Sequence, residues 1–111
     1  MAAIEHVLKA GDTFPSIYVT VTDSLGNVVN LTGASVDFVM VRDTGDLVIT
    51  DDAILDDPAD GVVRYDWQTG DTDVPGRYNI EFVVTFANRK ILTAPNGEYI
   101  ELLIVPRLPT A

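Results

Sequence analysis

Between Tyr78 and Phe86 every second residue is large and apolar: Tyr78, Ile80, Phe82, Val84 and Phe86 share one parity, while Asn79, Glu81, Val83 and Thr85 share the other. Successive side chains of a strand point to opposite faces of a sheet, so a period of two marks a strand with one face against a core. A stripe this long has to be covered by a second layer, which commits the chain to packed sheets. The same period recurs upstream. Ile17, Val19 and Val21 alternate with Tyr18, Thr20 and Thr22; Val36, Phe38 and Met40 with Asp37, Val39 and Val41; Val63, Tyr65 and Trp67 with Arg64 and Asp66. A last strand is predicted over Glu98 to Val105, and no window has a convincing helical period.

Turn residues punctuate these runs. Asp23-Ser24-Leu25-Gly26-Asn27 predicts a hairpin from Ser16–Thr22 into Val28–Leu31, and Asp43-Thr44-Gly45-Asp46 predicts a second one into Leu47–Thr50, because Asp, Asn and Ser offer local acceptors and Gly tolerates positive φ. Seven or eight short strands in 111 residues favour an all-β, immunoglobulin-like antiparallel β-sandwich. A jelly roll or small barrel is the runner-up, disfavoured by the unequal strand lengths. The chain reads as one domain over residues 1–111, with 1–10 an N-terminal arm or edge strand and 106–111 a C-terminal tail. Pro75-Gly76 delivers Tyr78 to the start of the strongest strand, where its hydroxyl can reach back to upstream backbone, and Trp67 can pack beneath it. Phe38, Trp67, Tyr78, Ile80 and Phe82 are therefore expected in the core.

Composition excludes several classes of function. Seventeen acidic residues against 7 basic ones give a net charge of −10, which repels phosphate backbones and anionic lipid surfaces, so neither nucleic acid nor membrane is an expected partner. The seven cations are scattered, and the one adjacent pair, Arg89-Lys90, reads as a hairpin tip. The absence of cysteine rules out disulfides and thiolate metal sites and points to synthesis in a cytoplasm. Met1 to Lys9 lacks the basic start and apolar run of a signal peptide, and no stretch approaches the length of a membrane-spanning helix. Asn30-Leu31-Thr32 matches a glycosylation acceptor by chance only.

Catalytic constellations are missing. His6 is the sole histidine, so a serine nucleophile at Ser16, Ser24 or Ser35 would depend on it, and none of the three stands in a strand-to-helix elbow. Carboxylates crowd Asp51-Asp52 and Asp56-Asp57-Pro58-Ala59-Asp60. Asp56, Asp57 and Asp60 are the candidate calcium ligands, yet their spacing does not fit a helix-loop-helix calcium loop, and a solvated acidic connection is the default. A glycosidase acid and base would need a cleft that so small a domain does not provide. No cofactor is expected.

The order of landmarks nevertheless carries a resemblance. Gly11-Asp12-Thr13-Phe14-Pro15, Thr22-Asp23 with Gly26-Asn27, and Asn30-Leu31-Thr32-Gly33-Ala34-Ser35-Val36-Asp37-Phe38 are followed by Gly61-Val62-Val63-Arg64-Tyr65-Asp66-Trp67. Gly70-Asp71-Thr72, Pro75-Gly76-Arg77-Tyr78, Glu81-Phe82 and Pro95-Asn96-Gly97-Glu98-Tyr99 complete the series. From about Gly11 to Val105 the chain resembles the amino-terminal domain of bacteriophage upper baseplate proteins and their stand-alone relatives. The resemblance implies an immunoglobulin-like sandwich that serves as a non-enzymatic virion module, docking to other tail or capsid proteins in symmetric copies, with homo-oligomerisation. Unlike the longer baseplate proteins the sequence stops at Ala111, which adds a head decoration protein as an alternative. A module of another class, a free carbohydrate- or protein-binding adhesion domain, would need an exposed aromatic platform from Phe14, Tyr18, Tyr99 or Trp67. For docking, Met1 to Ala10 could add a strand to a neighbour's sheet, and Pro106-Arg107-Leu108-Pro109 could form an extended arm.

Overall fold

The computed structural model describes residues 4–95 and 100–108. Nine strands run through them: β1 Ile4–Lys9, β2 Ile17–Thr20, β3 Ser35–Arg42, β4 Leu47–Asp52, β5 Ile54–Asp57, β6 Val62–Tyr65, β7 Gly76–Thr85, β8 Ile91–Ala94 and β9 Ile100–Val105. One 3-10 turn, Pro58–Asp60, separates β5 from β6. A six-stranded sheet in the order β1-β9-β7-β3-β4, with β8 beside β7, packs on a three-stranded sheet β2-β6-β5. The all-β sandwich is as expected, but the described strands number nine rather than seven or eight. Nor is every pair antiparallel: β1 lies parallel to β9, from Ile4 opposite Ile100 to Lys9 opposite Val105.

β7 is the spine of the large sheet because its alternation is the cleanest. Tyr78, Ile80, Phe82 and Val84 are buried, and the strand pairs with β3, β8 and β9. The aromatic centre of the core joins the two sheets. Phe38 of β3 stacks flat on Tyr65 of β6 with ring centroids 3.8 Å apart, and Trp67 and Phe82 meet Phe38 edge-on at 5.6 and 5.4 Å. The edge-on pairs add to the area term that dominates burial. The Tyr78 hydroxyl donates to the Val74 carbonyl at 2.5 Å, closing the corner over the Pro75-Gly76 turn.

The two hairpins differ. β3 and β4 pair around Asp43–Asp46 with a bulge between Met40 and Val41, as the turn chemistry predicts. Around Asp23–Asn27 the predicted hairpin is reduced to a single bridge between Thr22 and Val28. The backbone there is claimed elsewhere: Val21 N–H donates to Gly61 O at 2.8 Å, and Leu31 N–H to Pro58 O at 2.8 Å. Residues 28–31 thus lean on the β5–β6 connection instead of extending a ladder. The chain changes sheets between β4 and β5 at Ala53, whose N–H donates to Val36 O at 2.8 Å.

Candidate functional site: the open sheet faces

Each sheet leaves one face uncovered, and the two faces differ in chemistry. On the outer face of the large sheet, the residues of the non-core parity form a half-buried band: Val39 and Val41 of β3, Glu81 and Val83 of β7, and Leu103 and Val105 of β9. The register places Val39 opposite Glu81 and Val41 opposite Asn79, so aliphatic and polar side chains interleave. The bulge between Met40 and Val41 accompanies a recess of about 270 Å³ floored by Val39 and Val41 and edged by Asp43, Asn79 and Glu81. A second recess of about 160 Å³ shares Asp43 and Asn79 and reaches Arg77 and Glu101. Arg42 stands over the Tyr78 ring, 5.3 Å from its centroid, a favourable cation–π geometry. An aliphatic floor with a charged rim resembles the core-and-rim composition of protein–protein contacts.

The outer face of the small sheet carries an ordered polar network. Arg64 in β6 forms an ion pair with Asp56 and donates through Nε to Asp66 at 3.0 Å, and Ser16 Oγ donates to the same Asp66 oxygen at 2.5 Å. The Ser16 hydrogen bond, and then the Arg64 guanidinium, hold the Asp66 carboxyl below the usual carboxylate range. The Arg64 guanidinium is in turn held more firmly protonated by hydrogen bonds to Asp66 and Asp56. Tyr18 and Ile54 flank Arg64 across the ladder and stay exposed, at 54% and 39%.

Of the residues that could have carried chemistry, His6 and Ser16 line one small recess, and the others are dispersed. Of the candidate calcium ligands, Asp56 is engaged by Arg64, Asp57 accepts from the Asp60 backbone N–H at 3.4 Å at the start of the 3-10 turn, and Asp60 closes that turn. Among the described residues no group of three or more His, Asp or Glu side chains could hold a metal ion. His6 lies on β1 and lines a recess of about 60 Å³ with Pro15, Ser16, Ile17 and Trp67. Ser16 is bonded to Asp66, whereas Ser24 and Ser35 are exposed at a turn and at the start of β3. Of the four platform aromatics, Phe14 is 82% and Tyr18 54% exposed, Trp67 is buried in the core, and Tyr99 lies outside the described residues. Arg89-Lys90 occupies the β7–β8 turn, with Arg89 at φ 70.

Three contacts escape sequence reasoning. Thr72 is buried at 1% exposure, its Oγ1 donating to Asp12 O at 2.7 Å and its carbonyl accepting from Gly11 N–H at 3.1 Å. Arg107 is a clamp rather than part of a loose tail: Nε donates to Ala10 O at 2.8 Å and a terminal nitrogen to Asp12 Oδ1 at 2.7 Å. The Tyr65 hydroxyl donates to Asp71 at 2.6 Å, and burial, reinforced by that bond, pushes its pKa up. Each joins segments far apart in the chain or around a loop, which no local pattern announces.

The conspicuous features of this two-sheet sandwich are its open faces and edges. The family model described as the BppU N-terminal domain matches residues 11–95, and the chain belongs to this family, the N-terminal domain of baseplate upper proteins. Membership associates it with the virion and with structural domains of the phage baseplate. Among solved structures, the chain is similar to CopC from Methylosinus trichosporium OB3b at 16% sequence identity and a TM-score of 0.56, over 99% of this chain and 91% of that one. That likeness concerns the fold alone. None of the curated proteins compared matches the chain by sequence.

Proposed function

We propose that the chain is a non-enzymatic docking module that binds other phage virion proteins, in the tail baseplate in preference to the head, through the outer face of its six-stranded sheet. The observation that supports this best is the half-buried aliphatic band with its two recesses, present on a member of the baseplate family. A sheet face of this kind gains free energy when a partner covers it, since burial of apolar area is the main driving term in association. The charged rim, with Asp43, Glu81 and Glu101, would set orientation and partner choice more than affinity.

The test is particle incorporation. Phage complemented with Val39→Asp or Leu103→Asp protein is expected to lose the module from purified particles, as read by quantitative mass spectrometry, while the variant proteins keep a cooperative melt. Full incorporation of both variants would overturn docking through this face. Labelling electron microscopy then locates the wild-type protein, and density on the head would favour the decoration alternative. Exposed Phe14 and Tyr18 support a second reading as an adhesion module, for which Phe14→Ala and Tyr18→Ala should abolish binding to host cell-wall polysaccharide and leave incorporation intact.

A further inference from the structure

The open edges of the two sheets are unequal. β2, β5 and β8 are four-residue strands, and β4 and β1 have six residues each. β4 ends on Asp51-Asp52 and has no cation, so a copy of itself laid alongside would gather carboxylates. β1, with the sequence Ile-Glu-His-Val-Leu-Lys, carries one acid and one cation and exposes Val7 at 57%. It lacks the proline and the bulge that commonly blunt an edge, although Lys9 stands at its end.

The backbone fixes which groups face outward. Ala10 N–H donates to Val105 O at 2.9 Å, so the N–H of residue 10 points toward β9. Strand groups alternate in direction, and Lys9 accordingly points away: its N–H donates to Asp12 Oδ2 at 3.1 Å, and its carbonyl accepts from Asp12 N–H at 2.9 Å. By the same alternation Glu5 and Val7 present N–H and C=O at the open edge. The edge is closed off at Lys9 by its own chain and open at positions 5 and 7.

We infer that β1 pairs antiparallel with β1 of a second copy, with His6 on the twofold axis. In that register Val7 of each copy faces Glu5 of the other, and each of the two pairs exchanges both its backbone hydrogen bonds. A register centred on Val7 would instead direct Glu5 at Lys9, whose backbone is already engaged by Asp12. The two large sheets become one continuous sheet, and the interface is isologous, as closed dimers require. It leaves the outer-face band free, so it adds to docking through that face and does not depend on it.

Engineered cysteines test the register directly, because the chain has none of its own. Light scattering is expected to give twice the 12.1 kDa chain mass as concentration rises. His6→Cys protein should form a disulfide-linked dimer, since facing residues of a non-hydrogen-bonded pair have Cα atoms about 4.5 Å apart, within disulfide range. Lys9→Cys, more exposed than position 6 but about 20 Å from its counterpart in this register, should cross-link at least tenfold less. Val7→Pro removes only an outward N–H and should yield a monomer with an unchanged far-ultraviolet spectrum. A wild-type chain that stays monomeric up to millimolar concentration, a dimer that survives Val7→Pro, or equal cross-linking of the two cysteine variants would overturn the inference. A monomeric Val7→Pro chain that still enters particles would separate self-pairing from docking.

Discussion

At the scale of single residues, the positions that matter most are those where one atom has no substitute. Gly61 has φ 71, and a Cβ there would sit 2.7 Å from the Val29 carbonyl oxygen. Gly61→Ala should cost on the order of 3 kcal/mol, combining left-handed strain with a backbone clash, and a chemical denaturation curve would read it. Tyr78→Phe removes the donor to Val74 O while leaving the ring packed, and should cost about 1 kcal/mol. Acid sensitivity follows from Asp23 and Asp66. Backbone N–H donors from Asn27 and then Leu25 lower the first, and Ser16 and then Arg64 lower the second. A depressed folded-state pKa contributes stability that is present above the unfolded value near 3.8 and is lost as pH falls through the folded value. The Tm difference between wild type and Asp66→Asn should therefore be largest near neutral pH and vanish in strong acid. A gap that persisted there would mean that Asp66 acts through packing, not charge.

Among the elements, β7 was the most legible in the sequence, and the reason is physical: it is central, so its burial alternates without exception from Tyr78 to Val84. Phe82→Ala should cost about 3–5 kcal/mol, the usual range for emptying an aromatic site in a packed core, measurable from the denaturation midpoint. The β3–β4 hairpin was equally readable because its turn residues sit between matched strands. Less legible were the elements defined by distant partners. β1 looks like an arm or edge strand from its own residues, and nothing local announces a parallel match to β9, some ninety residues on. The hairpin expected around Asp23–Asn27 shrank to one bridge because Gly61 and Pro58 compete for the same backbone groups. Turn chemistry predicts where a chain reverses, and not which strand receives it. Of the candidate docking surface, the outward parity of Val39 and Val83 was visible in the alternation, but the recess beside the β3 bulge was not.

For the whole molecule, a net charge of −10 opposes both compaction and self-association, and salt screens that repulsion. Raising ionic strength from a few millimolar to about 0.15 M should raise the melting temperature of the isolated chain. A fall would mean that the Arg64 and Arg107 ion pairs outweigh the global repulsion. Fold class came from period, and the family from the order of landmarks shared with baseplate proteins. The face that a partner would cover depends on how the two sheets stack.

The parallel match of β1 to β9 has a mechanical consequence. A chain that enters at residue 4 and leaves at residue 105 does so from opposite ends of two side-by-side strands. Tension applied between those points slides one strand along the other, so the ladder bonds share the load and fail together instead of peeling apart one by one. The Arg107 bonds to Ala10 and Asp12 lie at the far end of that seam and act as its stop. That geometry resists pulling along the chain axis better than a hairpin loaded from one end would.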